Sequence, residues 1–216
     1  RRDGETAQHE QKSHDTATHV AHDEPVPDPK DTLVEYLQSA RDAIVWKVEG
    51  LSEYDARRPL TPTGTNLLGL VKHLASIELG YFGDTFGRPP GIPLPWHADE
   101  ADPNDDLYLT ADESREWVLD LYRTAWAHAA ETFAALELDA PGRVPWWGDD
   151  GDVTLHQILV HMVAETQRHA GHADIVRELI DGRAGRRAGD GNLDEAYDWP
   201  AHVARVEAAA GTTADA

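Results

Sequence analysis

Apolar residues recur at steps of three and four in four separate stretches of the chain, which predicts four amphipathic α-helices. Three of these stretches open on a threonine (Thr32, Thr110 and Thr154) followed three residues later by Glu or Gln, the pattern of a helix capping box. The last stretch ends at Asp181-Gly182, where glycine suits the left-handed position that follows a helix. The predicted helical segments are 32–51, 66–82, 110–136 and 154–182, with a brief extra turn at 52–57.

No segment alternates apolar and polar residues over a sustained length, so strands are not predicted. The pattern therefore indicates an all-α fold, a four-helix bundle. Residues 87–110 hold five prolines and could stretch roughly 80 Å. That reach exceeds the roughly 30 Å length of a 20-residue helix, so long crossover loops are compatible with this bundle.

The two ends of the chain lack the apolar period of the middle. Residues 1–30 are polar with prolines near their end, which predicts a disordered N-terminal extension. The bundle is expected over 31–182. Residues 183–216 are rich in Gly, Ala, Arg and Asp, and a weak helical pattern near 199–210 predicts a partly helical C-terminal extension.

Charge and composition argue against several classes of partner. Forty acidic against nineteen basic residues give a formal charge of −21, which disfavours nucleic acid and anionic membranes. No apolar run approaches the length of about eighteen residues that a membrane span needs, and no signal peptide is evident, so a cytoplasmic protein is expected. The chain has no cysteine, so any sulfur chemistry must use a sulfur from another molecule.

The fourth segment carries the polar residues His161, Glu165, His169 and His172 at spacings of four, four and three. At 100° per residue from Ile158, they fall between about −60° and +20°, in the sector that also holds several apolar side chains. Those apolar residues are Met162, Val176 and Leu179. The wheel therefore predicts that the polar stripe faces the bundle interior, where an unpaired carboxylate is costly.

Glu165 and His169, four residues apart, lie one turn apart on one helix face. His73 lies on the predicted core face of the second segment, and together they would form a His₂Glu set with an open fourth position, typical of a catalytic zinc. Two interpretations without a metal stay open: Glu165 paired with His169 or Arg168, and His73 simply hydrogen-bonded in the core.

Four further residues are candidates for a role around this group. His161 and His172 are interpreted as outer hydrogen-bond donors or pocket lining. Trp146 and Trp147 precede the fourth segment and suit either an apolar pocket wall or a cover over the end of the core.

Two stretches, NLLGLVKHLASIELGYF and HMVAETQRHAGHADIVRELIDG, resemble the DinB-like (YfiT-like) metal-binding four-helix-bundle family, in particular its mycothiol transferase branch. The resemblance covers roughly residues 30–182. It implies one metal ligand from the second helix, matching His73, and two from the fourth, matching Glu165 and His169. Many relatives have histidine at the position of Glu165, so this chain departs from the commonest pattern there.

The metal-binding domain of mycothiol-dependent maleylpyruvate isomerase shares the His, Glu, His set. That isomerase carries a further C-terminal domain, whereas only 34 residues follow Gly182 here. Isomerase activity is therefore not expected for this chain.

The resemblance implies a divalent-metal-dependent S-transferase that conjugates a low-molecular-weight, mycothiol-like thiol to an electrophilic small molecule in detoxification. Zinc fits the ligand types best, with nickel or iron as alternatives. Two other functions stay open: a hydrolase that uses metal-bound water, and a non-catalytic metal-binding or dimerisation module. A homodimer is compatible with each of them.

Overall fold

A computed structural model describes residues 27–98, 100–191, 193–194 and 196–211. The predicted disordered extension over 1–30 lies almost wholly outside this range. The described helices are α1 (Pro29–Trp46), α2 (Glu53–Arg57), α3 (Leu67–Phe82), α4 (Arg115–Ala135), α5 (Leu155–Asp181) and α6 (Trp199–Gly211). The all-α bundle is confirmed, and α1, α3, α4 and α5 are its four long helices.

Two of the predicted capping boxes do not start their helices. Helix α1 begins one turn earlier, at Pro29, because the Asp28 carboxylate accepts the N–H groups of Lys30 and Asp31. Helix α4 begins at Arg115 with Ser114 as its cap. Thr154 does cap α5, and Gly182 follows α5 in the left-handed conformation (φ 75°), as predicted.

Glu113, expected inside a helix, instead belongs to the loop before α4. Its carboxylate accepts the N–H of Thr110 at 2.8 Å and forms a 2.9 Å ion pair with Lys72 of α3. The hydrogen bond typical of a capping box is therefore present, but it closes a turn in the loop, and the prediction that the helix begins at Thr110 was wrong.

Helices α3 and α4 run parallel. The start of α3 lies near the start of α4 through the Lys72–Glu113 pair, and the Thr132 hydroxyl near the end of α4 donates to the carbonyl of Phe82 at 2.8 Å. Two parallel neighbours cannot be joined by a tight turn, so residues 83–114 form a crossover along the length of α3. The predicted long crossover loop is therefore present.

Helix α5 completes the bundle beside α1 and α3. Leu37 of α1 packs in one core cluster with Ile158, while Lys47 at the other end of α1 pairs with Asp174 at 2.8 Å. Arg177 is buried and donates to the carbonyls of Lys47 and Glu49, which fixes the C-terminal half of α5 to the end of α1.

Short elements outside the bundle differ from expectation. Strands β1 (Pro141–Arg143) and β2 (Asp152–Thr154) form an antiparallel pair, although no strand was predicted. Three residues per strand are too few to produce a readable alternation. Between them, a turn over 145–151 carries Trp146 and Trp147, with Gly148 at φ 60°. Among the described helices, none is both long and apolar enough to cross a membrane.

The part of the C-terminal extension that the structure describes contains α6, close to the weak helical pattern near 199–210. No residue of α6 is buried. The helix therefore adds nothing to the core of the bundle.

Candidate metal centre

His73 lies in the middle of α3, half-buried, with its two ring nitrogens facing different partners. Nδ1 lies 2.7 Å from Oδ2 of Asp106, and Nε2 lies 3.8 Å from Oε1 of Glu165. The Asp106 carboxylate accepts only, so it holds the ring proton on Nδ1. In the neutral form of the ring Nε2 would be the acceptor nitrogen, and it lies on the side of Glu165.

Helix α5 supplies the other two groups from adjacent turns of one face. Oε1 of Glu165 lies 3.0 Å from Nε2 of His169. This hydrogen bond is the metal-free pairing anticipated as an alternative. A pair of Glu165 and His169 alone would need no third residue. In this structure, however, Nε2 of His73 faces the same carboxylate oxygen from another helix.

The three donor atoms all lie within 4.8 Å of one another. Donors about 2.1 Å from a tetrahedral zinc are separated by about 3.4 Å, a value between the two Glu165 distances above. Two imidazole nitrogens and one carboxylate oxygen are also a ligand set that zinc accepts. The geometry and the chemistry of the group therefore fit a divalent cation held by three protein ligands.

The protonation states favour the same interpretation. Burial raises the pKa of Glu165, but the positive charge and hydrogen bond of His169, with the charge of His73, outweigh it and hold the pKa below its usual value. Burial and the nearby charge of His73 lower the pKa of His169 against the opposing effect of Glu165. The lowered pKa of Glu165 favours the ionised carboxylate and the lowered pKa of His169 favours the neutral ring, and these are the forms that bind metals.

The position of the group differs from the helical-wheel prediction. On α5 the fully buried line runs through Met162, Thr166, Ala170 and Ala173, whereas Leu179 is 62% exposed. The buried face is therefore rotated from the predicted one, and placing Leu179 in the core was wrong. Threonine and alanine at close helix contacts carry little apolar signal. Because the buried face is rotated in this way, Glu165 and His169 lie at the margin of the core, where a ligand can reach them.

Asp106 was not predicted as part of the site. It lies in the acidic stretch DEADPNDD of the crossover, a composition typical of a solvated loop. Burial raises its pKa, but the hydrogen bond to His73 and the charges of His73 and His97 outweigh burial, so the pKa is lowered. Sequence spacing cannot show which loop carboxylate reaches a helix 33 residues away.

We expect Asp106→Asn to weaken zinc binding about 10–100-fold, because an outer carboxylate orients a ligating imidazole and raises its basicity. Competition against a chromophoric chelator measures this affinity. Asp112→Asn, an exposed carboxylate of the same loop, is the matched control and should bind zinc normally. Equal affinity of the Asp106 and Asp112 variants would contradict the role of Asp106.

The two outer histidines lie on opposite sides of Glu165 along α5. Nδ1 of His172, which is exposed, lies 3.3 Å from Nδ1 of His169. The ring of His161 packs instead against Tyr81 and Trp147, with ring centroids 4.8 and 5.1 Å away. His172 therefore contacts the three-residue group, and His161 belongs to an aromatic cluster one turn away.

Trp146 and Trp147 also have different surroundings. Trp147 packs against a core cluster at the N-terminal end of α5. Trp146 is 52% exposed and lines a cavity along α3. Trp147 therefore covers the end of the core, and Trp146 forms part of a pocket wall. The two alternatives considered for both residues apply to one residue each.

Two cavities flank the three-residue group along α3. One, of about 510 Å³, is lined by Leu70, one turn before His73, and by His169 and His172. The other, of about 370 Å³, begins at Ser76 and Ile77, one turn after His73. Since His73 lies between Leu70 and Ile77, the group stands between the two cavities.

This fold and this group define a class: a helical bundle with a half-buried His₂Glu set between two of its helices. A family model described as Mycothiol-S-transferase matches residues 32–182. The match spans most of the chain, which therefore belongs to the mycothiol-S-transferase family. Membership supports a thiol-transferase type of function.

Other comparisons add the fold alone. A crystal structure of a conserved protein from Enterococcus faecalis is similar, with a TM-score of 0.53 and 16% sequence identity. The similarity covers 73% of this chain and 100% of that one. No curated protein matches the chain.

Proposed function

We propose that the chain is a divalent-metal-dependent S-transferase that joins a low-molecular-weight thiol to an electrophilic small molecule. The observation that carries the proposal is the convergence of three donor atoms from α3 and α5 in a member of this family. Such conjugation removes reactive electrophiles, so detoxification is the role that this chemistry serves.

His73, Glu165 and His169 would hold the cation, for which zinc is the best match by ligand type and nickel or iron the alternatives. When bound, the cation supplies Lewis acidity that favours the thiolate form of a thiol whose ordinary pKa is about 8.5. Three protein ligands leave a coordination position for that thiol. The chain itself contains no cysteine to occupy it.

The outer contacts orient the ligands for this task. With the proton of His73 held on Nδ1 by Asp106, Nε2 is available to a cation. A cation on Nε2 of His169 would replace the proton that Nε2 shares with Glu165, and the ring proton would then stand on Nδ1, where Nδ1 of His172 can accept it. Both histidines then present Nε2 on the side of Glu165.

We place the thiol in the larger cavity, because that cavity contains His169 and its other polar lining suits an uncharged polyol. Hydroxyl and amide groups of Thr63, Asn104 and Tyr108 line it, whereas the amide of Asn66 is already hydrogen-bonded to the chain on both sides. Its one arginine, Arg57, is paired with Glu53 at 2.6 Å and donates to loop carbonyls. No free positive charge is therefore left on Arg57 to select an anionic thiol.

The test is conjugation of iodoacetamide by the zinc-loaded protein with mycothiol, followed by mass spectrometry. In this reaction a carbon–sulfur bond forms, the carbon–iodine bond breaks, iodide leaves and the thiol proton passes to solvent. We expect thioether formation above the uncatalysed rate, its loss on chelation and its return with zinc. His156→Ala, an exposed histidine of α5, should retain the activity.

Two results would contradict the proposal. Turnover of an ester or amide without any thiol, and none with it, would favour the hydrolase that uses metal-bound water. Stoichiometric zinc with no turnover of either kind would favour a non-catalytic metal-binding module.

A further inference from the structure

The smaller cavity, which we term the aromatic slot, runs along the C-terminal half of α3. Its apolar wall comes from Ile77, Tyr81, Leu94 and Trp146, and its mouth carries Asp84 and His97. Ile77 follows His73 by one turn. On the facing helix, His161 contacts Tyr81 and precedes Glu165 by one turn. The lining of the slot therefore begins one helical turn after His73 on α3.

Aromatic rings shape the far end of the slot. The rings of Tyr81 and Trp146 meet edge to face, with centroids 5.1 Å apart. Gly80 lies beneath the indole: a Cβ at this position would come within 2.9 Å of Cη2 of Trp146. The absence of a side chain at Gly80 thus lets the indole close against the α3 backbone. Since Trp146 is still 52% exposed, the ring has a free surface for another flat ring.

The mouth of the slot disfavours anions. Asp84 contributes a carboxylate that is exposed at the rim. The partial desolvation of the His97 ring, opposed by the charge of Asp106, lowers its pKa, so this histidine is neutral at neutral pH. The rim therefore presents one negative charge and a neutral hydrogen-bonding ring to an entering ligand.

We propose that the aromatic slot binds the electrophile, and that the electrophile is a flat, uncharged aromatic molecule whose reactive carbon points toward His73. This assignment rests on the proposed transferase function. The aromatic ring packs between Ile77, Tyr81 and Trp146, and the thiol arrives from the other cavity. The sulfur–carbon bond forms between the two cavities, a leaving group departs with its electron pair, and the thiol proton passes to solvent.

The test measures binding alone, by NMR of the tryptophan indole N–H signals in the full chain without thiol or added metal. The ligand is 2,4-dinitrothioanisole, an unreactive thioether with the shape of a conjugated ring. We expect a saturable shift of the Trp146 signal, which is identified by its loss in Trp146→Phe. In Trp146→Ala this signal is absent, so binding is measured there from the ligand's own NMR signals, and it should be at least tenfold weaker. Trp199→Phe on the exposed α6 should bind normally.

Two further ligands test shape and charge. Hexyl methyl sulfide lacks a flat ring, and 2,4-dinitrobenzenesulfonate carries a negative charge, so both should bind at least tenfold more weakly. Equal binding of all three ligands, or unchanged binding in Trp146→Ala with an unchanged melting temperature, would overturn the proposal. Iodoacetamide does not need the slot, so its conjugation tests the transferase function separately from this one.

Discussion

Replacing His73, Glu165 or His169 by alanine should each abolish stoichiometric zinc binding. Each residue is expected to supply one of the three metal ligands. Its removal should therefore weaken zinc affinity by more than about 100-fold, the upper end of the loss expected for an outer residue such as Asp106. Elemental analysis after dialysis should show about one equivalent of zinc in the parent chain and a trace in each variant. Retention of a full equivalent in any variant would remove that residue from the ligand set.

Two controls separate ligand loss from misfolding. His156→Ala removes an exposed histidine from the same helix and should keep its zinc. Glu165→Gln preserves the shape of the side chain but removes the negative charge, so it should fold normally and bind zinc more weakly. Unchanged affinity in Glu165→Gln would show that this charge does not matter to the site.

Arg41→Met should lower the free energy of unfolding by about 3–5 kcal/mol, because it leaves a buried carboxylate without its partner. Arg41 of α1 and Glu78 of α3 are 3% and 0% exposed. The guanidinium donates through Nε at 3.1 Å and through a terminal nitrogen at 2.6 Å to the two oxygens of Glu78. Urea denaturation followed by circular dichroism measures the loss.

Arg123→Met is the matched control, because Arg123 forms an exposed 2.9 Å pair with Asp120 on α4. We expect a change of less than about 1 kcal/mol there. A combined Arg41→Met and Glu78→Met variant should recover much of the lost stability, since apolar residues can replace a buried pair. Similar small losses in Arg41→Met and Arg123→Met would show that burial does not govern the contribution of this pair.

Much of the fold was predictable because helical periodicity spans many residues and averages out local exceptions. The bundle and the stop at Gly182 followed from this signal, and His73, Glu165 and His169 were selected by spacing together with family resemblance. Helix starts were less predictable, since Asp28 and Ser114 compete with equally good capping residues nearby.

The rest of the site depends on contacts that sequence spacing does not encode. Asp106 reaches His73 only because the crossover passes over α3. Ile158, Met162 and Val176 of the predicted sector are buried, but the small residues Thr166 and Ala170 are buried too. The buried face of α5 is therefore rotated from the predicted one, and Leu179 lies outside it. Trp146 and Trp147 lie in a short turn over 145–151 that no periodicity predicts, so the sequence could not show which of them lines the cavity.

The parallel arrangement of α3 and α4 has a consequence for how specificity can diversify. The crossover that this arrangement requires contributes Leu94 and His97 to one cavity and Asn104 and Tyr108 to the other. The ligand-bearing side chains, in contrast, stand on rigid helices. Substitutions along one connecting segment can therefore reshape the walls of both cavities while the three-residue group keeps its geometry.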